Sequence, residues 1–135
     1  MAEIIARLAY AAAIAGGGVL LYILLRSRVL AKARRNSRTL ERFERGLPGI
    51  VYFTTPDCGA CKTVQRPALS ALRERLQSSL QIIEVDAAER PDLARAWSVL
   101  TVPTTFILDR EGRPRHVNQG VASAEKLASQ LQSVG

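Results

Sequence analysis

The chain of 135 residues contains only two cysteines and one histidine, which restricts the metal chemistry available to it. A structural zinc site takes four ligands, most of them cysteine or histidine, whereas Cys58, Cys61 and His116 supply at most three. We therefore expect neither a metal site nor a bound cofactor. The sequence also lacks internal repeats and low-complexity tracts, and its length predicts one domain of ordinary size with an appendage.

Charged residues are missing from residues 8–25, an apolar run of 18 residues. As a helix this run would span about 27 Å, enough to cross a thin hydrocarbon core. A core helix of a soluble domain would show a polar face, and this run shows none. A cleaved signal peptide would begin with a net positive segment, but Glu3 offsets Arg7 in the tail of residues 1–7. We predict an uncleaved membrane anchor at residues 8–25, in contact with membrane lipid.

Small residues lie one helical turn apart within this predicted anchor. Ala12 and Ala13 precede Gly16–Gly18 by the spacing at which two membrane helices can pack closely. The pattern allows a weak dimer through the anchor helix.

Positive charge is concentrated immediately after the anchor. Residues 26–45 hold eight Lys or Arg against two Glu, a net charge of +6 in a chain whose total is +7. The rest of the chain is nearly neutral, so we expect no nucleic-acid binding despite the isoelectric point of 10.2. Lys and Arg close to a membrane helix mark its cytoplasmic side, so the domain is predicted to face the cytoplasm. The basic connector of residues 26–38 either contacts anionic lipid headgroups or forms a solvated linker helix.

Both cysteines lie at the junction between a predicted strand and a predicted helix. The strand is the apolar run Ile50–Phe53, and the apolar face of the helix is formed by Val64, Ala68, Leu72 and Leu76. Cys58 falls at the helix N-terminus, where unpaired backbone N–H groups stabilise a thiolate. Cys61, about one turn later, is close enough to attack a disulfide formed by Cys58. A disulfide across so small a loop adds little stability, so the spacing predicts redox chemistry.

The remaining residues predict a single α/β domain over residues 39–135. Its expected elements are a helix at 40–47, a strand at 50–53, a helix from the cysteines to 77 that Pro67 kinks near Thr63, a strand at 80–85, a helix at 90–97, strands at 104–108 and 115–118 around a turn at 109–112, and a helix at 122–133. The order αβαβαββα is sufficient for one core with helices on both faces of a sheet.

The element order, the C-x-x-C and Val102–Pro103–Thr104 together resemble the thioredoxin family. The resemblance covers residues 39–135 and implies a thioredoxin-like α/β fold with a four-stranded mixed sheet, because the family's leading strand has no counterpart here. It also implies a cis Pro103 packed against the cysteines, with the backbone of Val102 pairing with the substrate. The implied substrate-binding residues are Gly59, Ala60, Val102, Pro103 and Gly120, and the implied supporting residues are Lys62, Thr104 and Tyr52.

Several positions depart from the family pattern. Asp57 stands where the family has tryptophan before the first cysteine, and Ala60 stands where it has proline between the cysteines. Tyr52 replaces a buried aspartate that is proposed to accept the proton of the second cysteine, and Ile82 replaces the associated lysine. A phenol is a poor base near neutral pH, so the resemblance supplies no proton acceptor for Cys61.

From these features we predict a membrane-tethered thiol–disulfide oxidoreductase in which Cys58 attacks the substrate disulfide and Cys61 resolves the mixed disulfide. Its expected partners are disulfide-containing proteins, which it would reduce, and a reductase that reopens its own disulfide. Two alternatives stay open: an extracytoplasmic tethered thioredoxin, like those of cytochrome c maturation, and a redox-sensing or scaffold domain without turnover. Trp97 is expected in the core, and His116 is expected at the surface without a partner.

Overall fold

A long N-terminal helix precedes the domain in the computed structural model, which describes residues 1–37 and 40–135. Helix α1 (Ala2–Asn36) contains the whole predicted anchor and continues without a break through residues 26–36 of the predicted connector. An 18-residue window of this helix has a mean hydropathy of 2.1, and none of that window is buried. By length and composition, α1 can therefore span a membrane. The predicted boundary between connector and domain, at residues 38 and 39, lies outside the described residues.

Four strands form one mixed sheet, as the resemblance implies, and their order in it is β2-β1-β3-β4. They are β1 (Gly49–Thr54), β2 (Gln81–Asp86), β3 (Thr104–Leu108) and β4 (Pro114–Gln119). β1 runs parallel to β2 and antiparallel to β3, and β3 pairs with β4 as an antiparallel hairpin. All of β1 is buried, which fits its central place in the sheet and its nearly continuous apolar sequence.

Helices cover both faces of this sheet, as predicted. Besides α1 they are α2 (Arg66–Leu76), α3 (Pro91–Ala96) and α4 (Ala124–Val134), with a π-helical segment at Cys61–Gln65 ahead of α2. On one face, α2 and α4 enclose an apolar cluster that contains Ile50, Tyr52 and Leu127. On the other face, α3 and the end of α1 pack around the fully buried Trp97, whose ring centroid lies 4.9 Å from that of Phe106.

The helix predicted at residues 40–47 is not formed, and this segment consists of turns and irregular backbone. Its backbone groups bond to a side chain instead, because the amide of Gln81 binds both the N–H and the C=O of Glu44, at 2.9 and 2.7 Å. The ring of Phe43 packs against Gly112 in the β3–β4 turn, where an added Cβ would lie 3.0 Å from it. The apolar residues that suggested a helix therefore fix an irregular segment to the hairpin.

The distortion predicted ahead of Pro67 takes the form of the π-helical segment. The N–H of Arg66 bonds the C=O of Cys61, five residues earlier, so this turn is wider than in an α-helix. Pro67 then lies in the first turn of α2, where its missing N–H is harmless. The wide turn also changes which residues face the core: Gln65 is buried, whereas Val64, predicted on the apolar face, is 49% exposed.

The C-terminal third of α1 packs against the domain. We call its packed residues the docking stripe: Arg26, Val29, Leu30, Ala33 and Asn36. Ala33 is fully buried, and the side-chain amide of Asn36 donates to the C=O of Ala96 at 3.0 Å. The opposite face of the helix exposes Arg28, Lys32 and Arg35. Residues 26–36 of the connector are thus helical, but one side of this helix packs against the domain core and is not solvated.

Candidate active site

Cys58 and Cys61 form a disulfide just beyond the carboxyl end of β1. The chain leaves β1 through Thr55, whose C=O accepts the N–H of Cys58 at 3.2 Å. Cys61 is fully buried at the start of the π-helical segment, while Cys58 is only partly buried. The N–H of Cys61 lies 3.1 Å from the sulfur of Cys58. Cys58 is therefore the more accessible sulfur, and a backbone donor already points at it, which favours its thiolate form.

The peptide bond between Val102 and Pro103 is cis, as the resemblance implies. Pro103 is buried directly before β3, and its C=O accepts the N–H of Gly120 at 2.8 Å. Val102 and Cys58 both pack against the apolar cluster that contains Cys61. Gly120 has a φ of +95°, a backbone conformation that favours glycine. The loop of Val102 and Pro103 and the loop of Gly120 thus lock together beside the cysteine pair.

Sheet register explains why residues so distant in sequence meet. Thr104, the first residue of β3, lies opposite Phe53 of β1 and Gln119 of β4. The segments of residues 55–60, 100–103 and 120–123 therefore share one end of the sheet, which we call the cysteine end. It holds the predicted site residues Cys58, Gly59, Ala60, Cys61, Val102, Pro103, Thr104 and Gly120. Lys62 is exposed on the π-helical segment, and Tyr52 lies in the core beneath it.

The surroundings of Cys61 are apolar. Tyr52 is 1% exposed and belongs to the same cluster as Cys61, and its hydroxyl has no hydrogen-bond partner within residues 1–37 and 40–135. Ile82 packs against this cluster as well. Over the same residues no charged side chain is buried anywhere in the domain. Two apolar positions thus stand where the family has a carboxylate and a lysine, and no buried carboxylate is available to take a proton from Cys61.

Gln65 is a positioning residue that the sequence reasoning missed. Its side chain is fully buried, and its amide makes two hydrogen bonds to the backbone of Ala122: Nε2 donates to the C=O at 3.0 Å, and Oε1 accepts the N–H at 2.9 Å. These bonds tie the cysteine segment to the chain just after Gly120. A glutamine beside apolar helix residues is usually read as exposed, and only the wide turn before Pro67 signals that it faces inward.

His116 has partners, contrary to the prediction. Its Nδ1 lies 3.3 Å from Nη2 of Arg26 in the docking stripe, and its Nε2 lies 2.9 Å from the hydroxyl of Ser133. Burial, followed by the positive charges of Arg26 and Arg115, lowers the pKa of His116 below its ordinary value of 6.5. The neutral imidazole can accept a hydrogen bond from Arg26, so this contact helps to hold α1 on β4.

Comparison with known proteins places this geometry in a family. The family model for thioredoxin matches residues 38–133. A thioredoxin-like protein of Synechocystis sp. is 31% identical over 85 residues, which cover 63% of this chain and 79% of the relative. Chloroplastic thioredoxin Y of Oryza sativa subsp. japonica is 30% identical over 107 residues, 78% of this chain and 62% of the relative. The solution structure of a thioredoxin-like protein from Clostridium perfringens matches with a TM-score of 0.61 and 31% identity, over 71% of this chain and 77% of that one.

A disulfide at a strand-to-helix junction, closed in by a cis-proline loop, defines a thiol–disulfide oxidoreductase. More specifically, the chain belongs to the thioredoxin family. Thioredoxins need no bound cofactor, because the cysteine pair itself carries the electrons. Their partners as a family are disulfide-containing proteins and the reductases that regenerate them.

Proposed function

We propose that this protein is tethered to a membrane by α1 and reduces disulfides of partner proteins on the cytoplasmic side. The observation that carries the chemistry is the contrast between the partly exposed Cys58 and the fully buried Cys61. It supports Cys58 as the attacking group and Cys61 as the resolving group. The exposed charges of Arg28, Lys32 and Arg35, directly after the apolar run, support the cytoplasmic orientation. In a reducing compartment the net direction is reduction of the partner.

Reduction takes two exchange steps. The Cys58 thiolate attacks one sulfur of the substrate disulfide, which forms a mixed disulfide and releases the other sulfur as a thiolate that takes up a proton. Cys61 loses its proton and attacks the sulfur of Cys58, which closes the intramolecular disulfide and releases the second substrate thiol. The substrate gains two electrons and two protons, and a dithiol reductant must return the same number to the Cys58–Cys61 disulfide.

The neighbouring loops provide the substrate contacts in this proposal. The backbone of Val102 pairs with the substrate chain, and Pro103 and Gly120 border it. Gly59 and Ala60 are both exposed between the cysteines, and an added Cβ at Gly59 would meet nothing within 4 Å. A substrate backbone can therefore approach Cys58 closely from this side. Lys62, Thr104 and Tyr52 support the site without being assigned a contact with the substrate.

Trapping of partners tests the roles of the two cysteines. Cys61→Ser should accumulate mixed disulfides with cell proteins, because the second step is blocked, whereas Cys58→Ser should trap almost none. Non-reducing electrophoresis of the full chain, with the double serine variant as background, measures both. Equal trapping by the two single variants would contradict the assignment.

Insulin reduction by the wild type tests the scaffold alternative, which requires that there be no cysteine-dependent turnover.

Thiol labelling tests the orientation. An impermeant maleimide applied to intact cells under reducing conditions should leave Cys58 unlabelled until the membrane is opened with detergent. The double serine variant measures the background. Labelling of Cys58 in intact cells would make the extracytoplasmic tethered thioredoxin the better description.

A further inference from the structure

We propose that the cysteine end of the domain faces the bilayer, and that the substrates are disulfides carried at the membrane–water interface by other membrane proteins. The inference rests on the membrane anchor of the proposed function. The new element is the effect of the anchor on the site. The last turns of α1 are docked on the domain, and the same helix contains the apolar run without a break, so α1 fixes the orientation of the domain relative to the membrane.

The contacts between α1 and β4 give the direction. Arg34 donates from Nε to the C=O of Pro114 at the start of β4, at 3.1 Å. Arg26, two turns closer to the apolar run, contacts His116 further along the same strand. α1 and β4 are therefore antiparallel, and following β4 toward its carboxyl end leads toward the membrane anchor.

The sheet carries this direction over to the cysteines. Gln119 at the end of β4 lies opposite Thr104, and Thr104 lies opposite Phe53 near the end of β1. The end of β4 that lies nearest the anchor is thus the cysteine end. The β3–β4 turn, which includes Glu111, lies at the opposite end of the sheet, away from the anchor.

A groove between α1 and the domain shows how close the cysteine end lies to the apolar run of α1. It has a volume of about 300 Å³ and is lined on the helix side by Tyr22 and Leu25, and on the domain side by Gln119, Val121 and Lys126, among others. Leu25 is the last residue of the apolar run. The Gly120 loop therefore lies level with the last turn of the run, where the hydrocarbon core gives way to the headgroups.

Exposed apolar side chains at the cysteine end fit this position. Among residues 40–135, the large hydrophobic residues that are exposed are Val64, Leu100 and Val121, with exposures of 49, 86 and 47%. Val64 lies three residues after Cys61, Leu100 lies three residues before the cis Pro103, and Val121 directly follows Gly120. All three thus lie in or next to the segments that form the cysteine end, where they can contact the apolar, interfacial part of a membrane protein. Lys126 in the groove adds a positive charge at headgroup level.

Lipid-borne quenching tests the geometry. The full chain with both cysteines changed to serine is given one new cysteine, by Val121→Cys or by Glu111→Cys, and labelled with an environment-sensitive fluorophore. Each protein is placed in phosphatidylcholine–phosphatidylglycerol vesicles that contain spin-labelled lipid. Fluorescence at position 121 should be lost, while fluorescence at position 111 should be retained. Equal quenching at both positions, or stronger quenching at 111, would overturn the proposal.

Reduction of transmembrane peptides tests the substrate class. The wild type is pre-reduced with dithiothreitol and reconstituted in vesicles together with one of two transmembrane peptides. In one peptide the disulfide lies at the membrane–water interface; in the other, a flexible spacer of about 20 residues separates the same disulfide from the membrane span. The interfacial disulfide should be reduced about tenfold faster or more, because both groups are confined to one layer. A matched variant carries a flexible Gly–Ser insert of about 12 residues between Leu25 and Arg26, which frees the domain from the span but keeps the docking stripe. It should lose this preference.

A small soluble disulfide separates failure of this inference from failure of the proposed function. Hydroxyethyl disulfide reaches Cys58 in any orientation, so it reports the exchange chemistry alone. Normal reduction of it by vesicle-bound protein, without an interfacial preference, would overturn the inference and leave the proposed function intact. Failure of the chain to float with vesicles would overturn the membrane anchor and the inference together.

Discussion

Among single residues, Tyr52 has the most direct consequence for the chemistry. It fills the place of a buried carboxylate with a phenol whose hydroxyl has no partner within the described chain, in an apolar cluster shared with Cys61. We therefore expect the proton of Cys61 to leave to water, to the substrate or to a group other than a buried carboxylate. The buried thiol is the weak point of the second exchange step, and hydroxide concentration should govern its rate.

Resolution of a mixed disulfide should consequently be slow at neutral pH and should accelerate as the pH rises toward the ordinary thiol pKa of about 8.5. Tyr52→Asp should hasten the step at pH 7, although it should also lower the free energy of unfolding by about 3 kcal/mol or more, because a large buried ring is lost. Stopped-flow decay of a preformed mixed disulfide measures both proteins. Tyr52→Phe is the matched control and should leave the rate unchanged. A wild-type rate that is flat from pH 6 to 9 would show that another group takes the proton.

Replacing the buried side chain of Gln65 should affect both stability and activity. Gln65→Met keeps the size of the side chain but leaves the N–H and C=O of the buried Ala122 without partners, at a cost of about 2–4 kcal/mol in the free energy of unfolding. The loop of Gly120 should loosen, so insulin reduction should show a raised KM. Gln132→Met makes the same chemical change at an exposed position of α4 and should alter neither quantity. Equal effects of the two substitutions would remove the positioning role of Gln65.

Among the elements, α1 combines two environments in one helix. Residues 8–25 are apolar on all sides, and the last turns of α1 present the docking stripe to the domain and a basic face to the outside. The docking stripe includes the charged residue Arg26, and Ala33 lies between Lys32 and Arg34, so the sequence shows only a weak helical pattern of apolar residues here. Docking is carried by close packing at Ala33 and by hydrogen bonds from long polar side chains.

Enlarging Ala33 should weaken docking. Ala33→Leu adds volume at a fully buried position and should destabilise the packed helix by about 1–3 kcal/mol. Trypsin should then cut more rapidly at the basic residues of the connector, while reduction of hydroxyethyl disulfide stays normal. Ala31→Leu, on the exposed side of the same turn, is the control and should leave the cleavage rate unchanged. Unchanged cleavage of Ala33→Leu would mean that the helix is held by contacts other than the stripe.

Periodicity in the sequence was sufficient to predict elements whose backbone groups bond to other backbone groups in a strand pair, a turn or a helix. The strand ahead of Cys58, the hairpin around Gly112 and the sequence order of the elements from residue 49 onward follow from apolar runs and turn residues. Residues 40–47 could not be predicted in this way, because the side chain of Gln81, distant in sequence, satisfies their backbone groups. Gln65 escaped notice for a related reason, since its inward orientation depends on one widened turn.

The candidate site divides in the same manner. The redox chemistry of Cys58 and Cys61 was accessible from their spacing at a strand-to-helix junction, and the cis bond before Pro103 was accessible through family resemblance, because both are local motifs. The partners of His116 were not accessible, because Arg26 lies 90 residues away and meets it only when α1 docks. Contacts between a connector and the domain it precedes have no signature in the local sequence.

For the molecule as a whole, His116 links docking to pH. The folded protein holds the pKa of His116 below 6.5, mainly by burial and then by Arg26 and Arg115, while Ser133 contacts its other nitrogen. The fold therefore favours the neutral ring. The stability that neutral His116 contributes is fully present above the pKa of this histidine in the unfolded chain. It is lost as the pH falls through the lower pKa of His116 in the folded protein.

Acidification from pH 7.5 to 5 should therefore destabilise the wild type more than His116→Gln, which keeps polar atoms but does not titrate. Denaturation midpoints of the full chain in detergent at both pH values give the comparison, and the carboxylates contribute equally to both proteins. Tryptic cleavage of the connector should accelerate at low pH in the wild type only. An identical pH response of the two proteins would exclude His116 as the titrating group.

Under the proposed membrane tether, the unbroken course of α1 would also make the lipid itself a determinant of activity. The apolar run spans about 27 Å, slightly less than the average hydrocarbon thickness of about 30 Å. A thick bilayer draws so short a helix upright and pulls the attached domain against the surface, whereas a thin bilayer lets the helix tilt. Because α1 contains no hinge before the docking stripe, each degree of tilt swings the disulfide through the same angle. Hydrophobic mismatch would then select which substrates the protein meets, and the same chain would work differently in membranes of different thickness.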